Sequence, residues 1–402
     1  MTEQLPANAS MRDIFDFCTR KGIPSVAQGM IELPPPVGLR KLASELTLRD
    51  DVHTYRNRFG TEEYLDGLVN LCKSHYGFHE AFTKDNILAT HGVTGACVTV
   101  LSYLKTLGKN RVGLISPFYT YHVRELEQVF GEEPNVTYIK LKKNPDDSIK
   151  TASKHFYLDV EELENTYLKK GLDILMLCNP GNPTTHVYQK KEIDALVHLC
   201  GKYDCNLLLD ECYCDMVWDG KIYSPVSLSG DQVQDDVIPK HVFIARGFSK
   251  NIGCQSWRVG YLIAHKSLIP KLMQIGDPVY ICVPFSQMAV GSFLKDDLQD
   301  FVKHQDQTQQ LMRDNWKVLS RAFKNALGWE PIEPEGSMYG LFLHKQDSDL
   351  GAVQSALELG VGVCHMSMFV EHTPENTGMV RIHCGITHEK ALQIKDILEK
   401  SK

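Results

Sequence analysis

The feature that most constrains this fold is an alternation of strand and helix patterns through the middle of the chain. Short apolar runs predict strands at 111–116, 173–178, 206–210, 241–248 and 258–264. Amphipathic stretches in the same region predict helices at 94–109, 119–131 and 189–203. Strands that alternate with helices form a mostly parallel sheet that is covered on both faces. We therefore expect an α/β fold that binds its ligand at the carboxyl ends of the strands.

The pattern changes in the last third of the chain, where a long, polar-rich stretch predicts a helix over 298–327. It is followed by predicted strands at 337–344, 362–366 and 379–384 and by predicted helices at 350–359 and 388–400. This mixture is typical of a smaller α+β domain. Pro34-Pro35-Pro36 breaks an N-terminal arm, which we expect to join that domain. We predict a large domain over 45–280 and a small domain formed by 1–44 and 281–402.

Composition excludes several classes of partner. The 402 residues carry a formal net charge of -7, which opposes general attraction to nucleic acid or to an anionic membrane. No run of 18 apolar residues occurs, so no membrane span is predicted, and the polar stretch 1–10 lacks an apolar signal core. The twelve cysteines lack Cys-x-x-Cys spacing, which indicates reduced thiols and no metal site. We expect a cytoplasmic protein.

Three of the predicted strands are followed by residues that could bind a charged ring. The segment 179–184 comes after the strand at 173–178 and contains Asn182 in a doubled Asn-Pro pattern. Asp210 ends the next strand, three residues before Tyr213, and Lys250 follows the strand at 241–248, eight residues before Arg258. Singly, each has a plain structural explanation: a turn, an ion pair or a solvated side chain. In this order, they could hold an electron-sink cofactor by its phenolic oxygen, ring nitrogen, aldehyde and phosphate.

This ordered set resembles the fold-type I pyridoxal-phosphate (PLP) enzymes, in particular the class I/II aminotransferases, over about residues 29–385. The resemblance implies a PLP-transferase fold, with a seven-stranded, mostly parallel sheet and a smaller α+β domain. It implies PLP as the cofactor and a Schiff base from Lys250, which would then carry a proton between the substrate Cα and the cofactor C4′. It also implies the other cofactor contacts: Asp210 at the ring nitrogen, Asn182 and Tyr213 at the phenolic oxygen, Tyr119 stacked on the ring, and Val93, Thr94 and Arg258 at the phosphate. We expect Ser249 to supply the phosphate hydroxyl that family members often carry at the position of Gly247.

The same resemblance implies how an amino acid is bound. Arg381 stands at the family's substrate-carboxylate position, and Gly29 and Asn182 stand where further substrate contacts are made. Tyr55 resembles a tyrosine that crosses the interface of a homodimer to the neighbour's phosphate. Asp277 stands where dicarboxylate-specific relatives carry an arginine, which predicts that aspartate is a poor substrate.

The chain departs from the family pattern near the expected substrate path. Thr185 stands where a glycine often follows Asn-Pro-Thr, His365-Met366 replaces a usual Pro-Gly, and Gly247 replaces a frequent serine. We expect an aminotransferase that passes an amino group from an α-amino acid to a 2-oxo acid. A PLP-dependent lyase or cyclase stays open, because these reactions share an intermediate with transamination. A non-catalytic, ligand-sensing module is the alternative of another class.

Overall fold

The fold contains a seven-stranded sheet and a separate four-stranded sheet. The computed structural model describes residues 5–6, 9–144, 146, 150–227, 236–278, 283–371 and 376–400. Within them the strands are β1 (Ile87–Thr90), β2 (Val112–Ser116), β3 (Val136–Lys140), β4 (Lys142–Lys143), β5 (Phe156–Tyr157), β6 (Ile174–Cys178), β7 (Asn206–Asp210), β8 (Val242–Gly247), β9 (Gly260–Ile263), β10 (Glu330–Ile332), β11 (Tyr339–Leu343), β12 (Cys364–His365) and β13 (Met379–His383).

The α-helices within the described residues are α1 (Met11–Lys21), α2 (Val37–Leu46), α3 (Glu62–Ser74), α4 (Gly92–Thr106), α5 (Thr120–Phe130), α6 (Ala152–His155), α7 (Val160–Glu162), α8 (Lys190–Lys202), α9 (Ile269–Gly276), α10 (Pro284–Asp296), α11 (Leu298–Leu327), α12 (Asp349–Glu358) and α13 (His388–Lys400). None of them combines the length and the apolarity that a bilayer crossing requires.

The large sheet is mostly parallel, as the sequence predicts. Its strand order is β1-β9-β8-β7-β6-β2-β3, and β9 runs antiparallel to both of its neighbours. The ends of β6, β7 and β8 lie side by side, since Cys178 pairs with Asp210 and Asp210 pairs with Ala245. This register brings the loops that follow these three strands to one edge of the sheet.

Alternating side chains explain why this sheet is buried on both faces. In β7, Leu207 and Leu209 belong to one apolar cluster, whereas Leu208 belongs to a second cluster on the opposite face. Successive residues of a strand point to opposite faces, so a continuous apolar run needs cover on both sides. The two clusters supply that cover.

The smaller sheet is antiparallel, with the order β10-β11-β13-β12. The N-terminal arm joins it through backbone hydrogen bonds: the amide of Val26 donates to Gly362 (2.8 Å), and the amide of His383 donates to Val26 (2.9 Å). After the three prolines the chain starts α2 at Val37. The domain limits at 44–45 and 280–281 stay predictions, and the second of these lies outside the described residues.

Several predicted elements have different ends. The strand predicted at 258–264 is shorter, because Arg258 adopts a left-handed backbone conformation (φ 55°) that a strand cannot continue through. The strand predicted at 362–366 is reduced to Cys364–His365. The helix predicted at 94–109 begins two residues earlier and ends at Thr106, before Gly108 with its φ of 76°.

Thr185 is strained, which gives its departure from the family pattern a physical meaning. Its φ is 60°, and a β-branched residue rarely adopts this left-handed conformation. The side chain is buried, and its hydroxyl makes no hydrogen bond within the described residues. Backbone bonds hold the conformation: the amide of Thr185 donates to Gly181 (3.0 Å), and the amide of Gly336 donates to its carbonyl (3.0 Å).

We therefore expect Thr185→Gly to be more stable than Thr185→Ala by about 1 kcal/mol, because glycine accepts a positive φ without a steric penalty. Thr184 provides the control, since it is buried but is not among the residues with positive φ. There, the alanine variant should be the more stable of the two. Denaturant unfolding of the four variants measures these differences. An alanine variant that is more stable than glycine at both positions would contradict the strain.

Candidate active site

A cavity of about 270 Å³ lies at the carboxyl edge of the large sheet, beside the ends of β6, β7 and β8. Eight of the predicted site residues line it: Val93, Thr94, Tyr119, Asp210, Tyr213, Ser249, Lys250 and Arg258. Five further lining residues were not predicted: Tyr121, Glu125, Cys178, Cys212 and Gln255. The segments that carry these side chains are far apart in sequence, and the parallel sheet brings them together.

The amine of Lys250 lies in the cavity. Its Nζ donates hydrogen bonds to the carbonyl of Gly29 (2.9 Å) and to Oε1 of Gln255 (3.3 Å). The pKa of this amine is lowered, first by the exclusion of water and then by the positive charges of Arg258 and Arg381. A lysine with a lowered pKa can attack a carbonyl group as the free amine.

Asp210 is held at the end of β7 by two donors. Nε2 of His122 lies 2.9 Å from its Oδ2, and the amide of Cys212 donates to its Oδ1 (2.9 Å). Asp210 and His122 are both buried. Burial by itself lowers the pKa of His122, but the hydrogen bond to Asp210 and the charge of Glu125 outweigh it, so that the pKa is raised. The hydrogen bond between His122 and Asp210 compensates for the burial of the carboxylate.

A chain of polar contacts connects Tyr213 to Arg381. Nδ2 of Asn182 donates to the hydroxyl of Tyr213 (3.4 Å), and Nη1 of Arg381 donates to Oδ1 of Asn182 (2.7 Å). The Tyr213 hydroxyl also lies 3.1 Å from the hydroxyl of Tyr339. Asn182 and Arg381 thus lie beside the residues of the cavity rather than in its lining.

Arg381 is fully buried in β13, and aromatic rings and hydrogen bonds hold its guanidinium beside the cavity. The guanidinium carbon Cζ lies 4.0 Å from the ring centre of Tyr339 and 4.5 Å from that of Phe369. Nη2 of the same arginine donates to the carbonyl of Ala27 (3.0 Å). Its Nε makes no hydrogen bond within the part of the chain that the structure describes. An arginine that is held by aromatic rings can present its donors to a carboxylate without reorganising.

The N-terminus of α4 forms an anion pocket with Arg258. Val93 and Thr94 lie in the first turn of this helix, and unpaired amides at a helix N-terminus bind phosphate. Nη2 of Arg258 donates to the carbonyl of His91 (3.0 Å), and its Nη1 lies 3.5 Å from the hydroxyl of Ser249. Gly92 makes room for this arginine, because a Cβ at Gly92 would lie 2.8 Å from Nη2.

Tyr119 lines the cavity, and Gly29 lies beside it. The ring of Tyr119 stacks on that of Tyr121, with 5.4 Å between the centres and 14° between the planes. Gly29 must be a glycine, because a Cβ would lie 2.1 Å from the hydroxyl of Tyr339. Its carbonyl accepts the hydrogen bond from Lys250.

Tyr55 and Asp277 belong neither to the cavity lining nor to the hydrogen-bonded residues beside it, which are Asn182, Arg381 and Gly29. Tyr55 is 86% exposed. Asp277 pairs with Arg58 of the same chain, with 2.8 Å between Oδ2 and Nη1. The neighbouring residues 279 and 280, on which the comparison of Asp277 with an Arg-Pro-x-Tyr segment also depends, lie outside the described residues.

The sequence analysis missed His122 and Glu125, although a signal for both was available. They follow Tyr119 by three and six residues on α5, so one face of this helix carries all three toward the cavity. Tyr339 and Gln255 gave no such signal, because a tyrosine in a strand and a glutamine in a loop are common in any fold.

The residues present fit PLP. The anion pocket suits its phosphate, Asp210 suits a protonated pyridine nitrogen, and the amine of Lys250, with its lowered pKa, suits its aldehyde. Nδ1 of His122 and Oε2 of Glu125 are buried near Asp210 and make no hydrogen bond within the described residues. Two polar atoms in this part of the site therefore still lack a partner there.

Similar proteins point to the same chemistry. An aspartate aminotransferase of Sulfurisphaera tokodaii is 27% identical over 312 residues, which are 77% of this chain and 71% of that protein. The aromatic-amino-acid aminotransferase 2 of Thermococcus litoralis is 26% identical over 98% of this chain and 95% of its own length. A mutant aspartate aminotransferase of Thermus thermophilus has the same fold, with a TM-score of 0.81 at 19% identity over 100% of this chain and 98% of that one.

The family aminotransferase class I and II matches residues 22–397, nearly the whole chain. Members of this family depend on PLP, and the relatives above carry aminotransferase names. The predicted fold class, enzyme class and cofactor are thereby confirmed. This chain belongs to the class I and II aminotransferases and is a PLP-dependent transferase that acts on amino acids.

Proposed function

We propose that the protein passes the amino group of an α-amino acid to a 2-oxo acid, with Lys250 carrying PLP through a Schiff base. The observation that supports this most directly is the amine of Lys250, whose pKa is lowered inside a cavity that also contains Asp210, Tyr213 and Arg258. PLP, when bound, supplies an electron sink for the bonds at the substrate Cα. Lys250 then acts as the base that moves a proton between Cα and the cofactor C4′.

Each remaining contact has a separate task in this proposal. Asp210, with His122 behind it, would keep the ring nitrogen protonated, and Asn182 and Tyr213 would donate to the phenolic oxygen. The amides of Val93 and Thr94, the hydroxyl of Ser249 and the guanidinium of Arg258 would hold the phosphate, while Tyr119 would cover one face of the ring. Exclusion of water raises the pKa of Tyr213 well above its usual value, with contributions from Tyr339 and Cys212, so its hydroxyl stays a donor.

Arg381 binds the α-carboxylate of the substrate in this proposal, with Asn182 and Gly29 beside it. The arginine already donates to Asn182, so a carboxylate would add to an existing network and would use the free Nε. The same anchor serves the amino acid and the 2-oxo acid, because both carry a carboxylate next to the reacting carbon.

The relatives favour transamination over the alternatives. They are named as aminotransferases, and not as lyases or cyclases. Membership of an enzyme family also weighs against a module that senses ligands without turning them over. Ammonia or pyruvate released from an amino acid, in place of amino transfer, would favour a lyase.

We further propose a homodimer with shared sites and a cytoplasmic location. Tyr55 is a large, exposed side chain on the loop before Gly60, as a residue that reaches into a neighbouring subunit would be. The eleven cysteines of the described residues are all free, which suits a reducing compartment.

The first prediction concerns Lys250. Borohydride reduction of the holoenzyme followed by peptide mapping should find pyridoxyl on Lys250. Lys250→Ala should still bind PLP, lose the label, and lose activity by about 10³-fold or more, because the general base is gone. Lys271→Ala, which removes an exposed lysine of α9, is the matched control and should behave as wild type. A label on another lysine would refute the assignment.

The second prediction tests the shared site. Mixed subunits of Tyr55→Phe and Lys250→Ala form hybrid dimers in which one site has both residues intact. Random mixing should restore about one quarter of the wild-type activity, because half of the dimers are hybrids with one working site. Mixing Tyr55→Phe with the double variant Tyr55→Phe/Lys250→Ala leaves no intact site and should restore nothing. An active monomer in sedimentation analysis would exclude the shared site.

The third prediction concerns the substrate side chain. If Asp277 faces a neighbouring site, as the sequence comparison predicts, it repels a distal carboxylate. Its pairing with Arg58 offsets part of this charge, and a pair as exposed as this one contributes only about 0–1 kcal/mol to stability. We expect kcat/KM for aspartate to be at least about tenfold below that for arginine or phenylalanine, a difference of about 1.4 kcal/mol.

Two variants separate the charge of Asp277 from its shape. Asp277→Asn keeps the shape of the side chain and should raise kcat/KM for aspartate while leaving kcat/KM for phenylalanine unchanged. Asp277→Arg should raise kcat/KM for aspartate further. The relatives include both aspartate and aromatic aminotransferases, so their names do not decide between these substrates. A preference of the wild type for aspartate would overturn this prediction.

A further inference from the structure

Glu125 is a buried acid in the cavity to which the proposed reaction gives no role. It lies on α5, its side chain is 3% exposed, and it lines the same cavity as Lys250 and Asp210. Its Oε2 makes no hydrogen bond within the described residues. Burying a carboxyl group in this way is costly unless the group gains a partner or stays protonated.

The surroundings of Glu125 contain one anion and one potential cation. Asp210 of β7 and His122 of its own helix act on its charge in opposite directions, and the hydroxyl of Thr94 donates to it from α4. Tyr119 and Cys97 also face it, and burial raises both of their pKa values well above the usual range, so both are neutral. The charge balance around Glu125 therefore depends on His122 and Asp210.

Without a cofactor, the charges of Glu125, His122 and Asp210 would cancel one another. Burial, reinforced by the negative charge of Asp210, raises the pKa of Glu125 to about 8, despite the opposing effects of His122 and Thr94. At neutral pH, Glu125 is then largely protonated. The hydrogen bond to Asp210 favours the charged form of His122, and this cation beside the Asp210 carboxylate would leave the three groups without a net charge, as a water-excluding site favours.

A protonated pyridine nitrogen beside Asp210 disturbs this balance by adding a second cation. Resting on the proposed function, we infer that Glu125 is the positioning residue that compensates for this cation: its proton is lost, the ring nitrogen holds one, and Glu125 remains as the anion that keeps His122 protonated. Asp210 would then pair with the ring nitrogen and Glu125 with His122, so that the net charge of these four groups is again zero. Glu125 acts through His122 and not through a bond to the cofactor.

A purely structural role makes a different prediction. In that case Glu125 stays protonated with and without PLP and only holds Thr94 in place. Removing its charge would then alter phosphate binding and stability but leave the protonation of the ring nitrogen as it is. The ring nitrogen therefore distinguishes the two roles.

The experiment measures the ring nitrogen directly. Holoenzyme reconstituted with ¹⁵N-labelled PLP is titrated by NMR for wild type, Glu125→Gln, Glu125→Asp and Glu127→Gln. In Glu125→Gln the midpoint of ring-nitrogen protonation should fall by about one pH unit or more, because one anion near two cations is lost. Glu125→Asp should restore most of the wild-type midpoint. Glu127→Gln removes an exposed charge from the same helix and should change nothing.

Two outcomes would overturn the inference. One is a Glu125→Gln variant whose ring nitrogen titrates with the wild-type midpoint while borohydride still labels Lys250. This result would refute the role of Glu125 but leave the proposed function intact. Loss of the Lys250 label in the wild type itself would instead refute the proposed function.

The other outcome comes from the wild-type protein and does not depend on how a variant folds. Infrared difference spectra between apoenzyme and holoenzyme should show the loss of one protonated carboxyl band on PLP binding. Glu125→Asp should shift this band. An unchanged carboxyl region in the wild type would contradict the release of a proton from Glu125.

Discussion

The site depends on keeping the carboxylate of Asp210 at the buried end of a central strand. Asp210 is 4% exposed, and it pairs through the backbone with strands on both sides. A carboxylate in this position is costly unless donors surround it, and His122 and the amide of Cys212 are those donors. They leave room for one more cation, and a protonated ring nitrogen is the group that the proposed chemistry places there.

The two sheets contribute different halves of the site. The groups proposed to bind the cofactor lie at the ends of β6, β7 and β8 and at the N-termini of α4 and α5, whereas β13 and the N-terminal arm carry Arg381 and Gly29. Contacts across the boundary are direct, since Arg381 donates to Asn182 and Lys250 donates to Gly29. The positions of these groups therefore depend on how the small sheet packs against the large one. A substitution that alters this packing can displace Arg381 without changing any side chain of the cavity.

The sequence predicted the fold well where patterns are periodic. β7, α11 and α13 have the predicted ends, because an apolar run or a helical repeat marks them clearly. Elements that end in local geometry were harder: the left-handed Arg258 shortens β9 in a way that no residue type announces. Lys250, Asp210 and Arg258 could be named from their order and spacing, but the burial of Glu125 could not, since a glutamate on an amphipathic helix is usually solvated.

The central claim is that bound PLP accepts an amino group from an amino acid and gives it to a 2-oxo acid. Absorbance of the holoenzyme tests this most directly, with single amino acids added first and a 2-oxo acid added afterwards. The account predicts that a substrate amino acid alone shifts the cofactor band to shorter wavelength, and that the 2-oxo acid restores it. A band that no amino acid shifts, or a shift that no 2-oxo acid reverses, would contradict amino transfer.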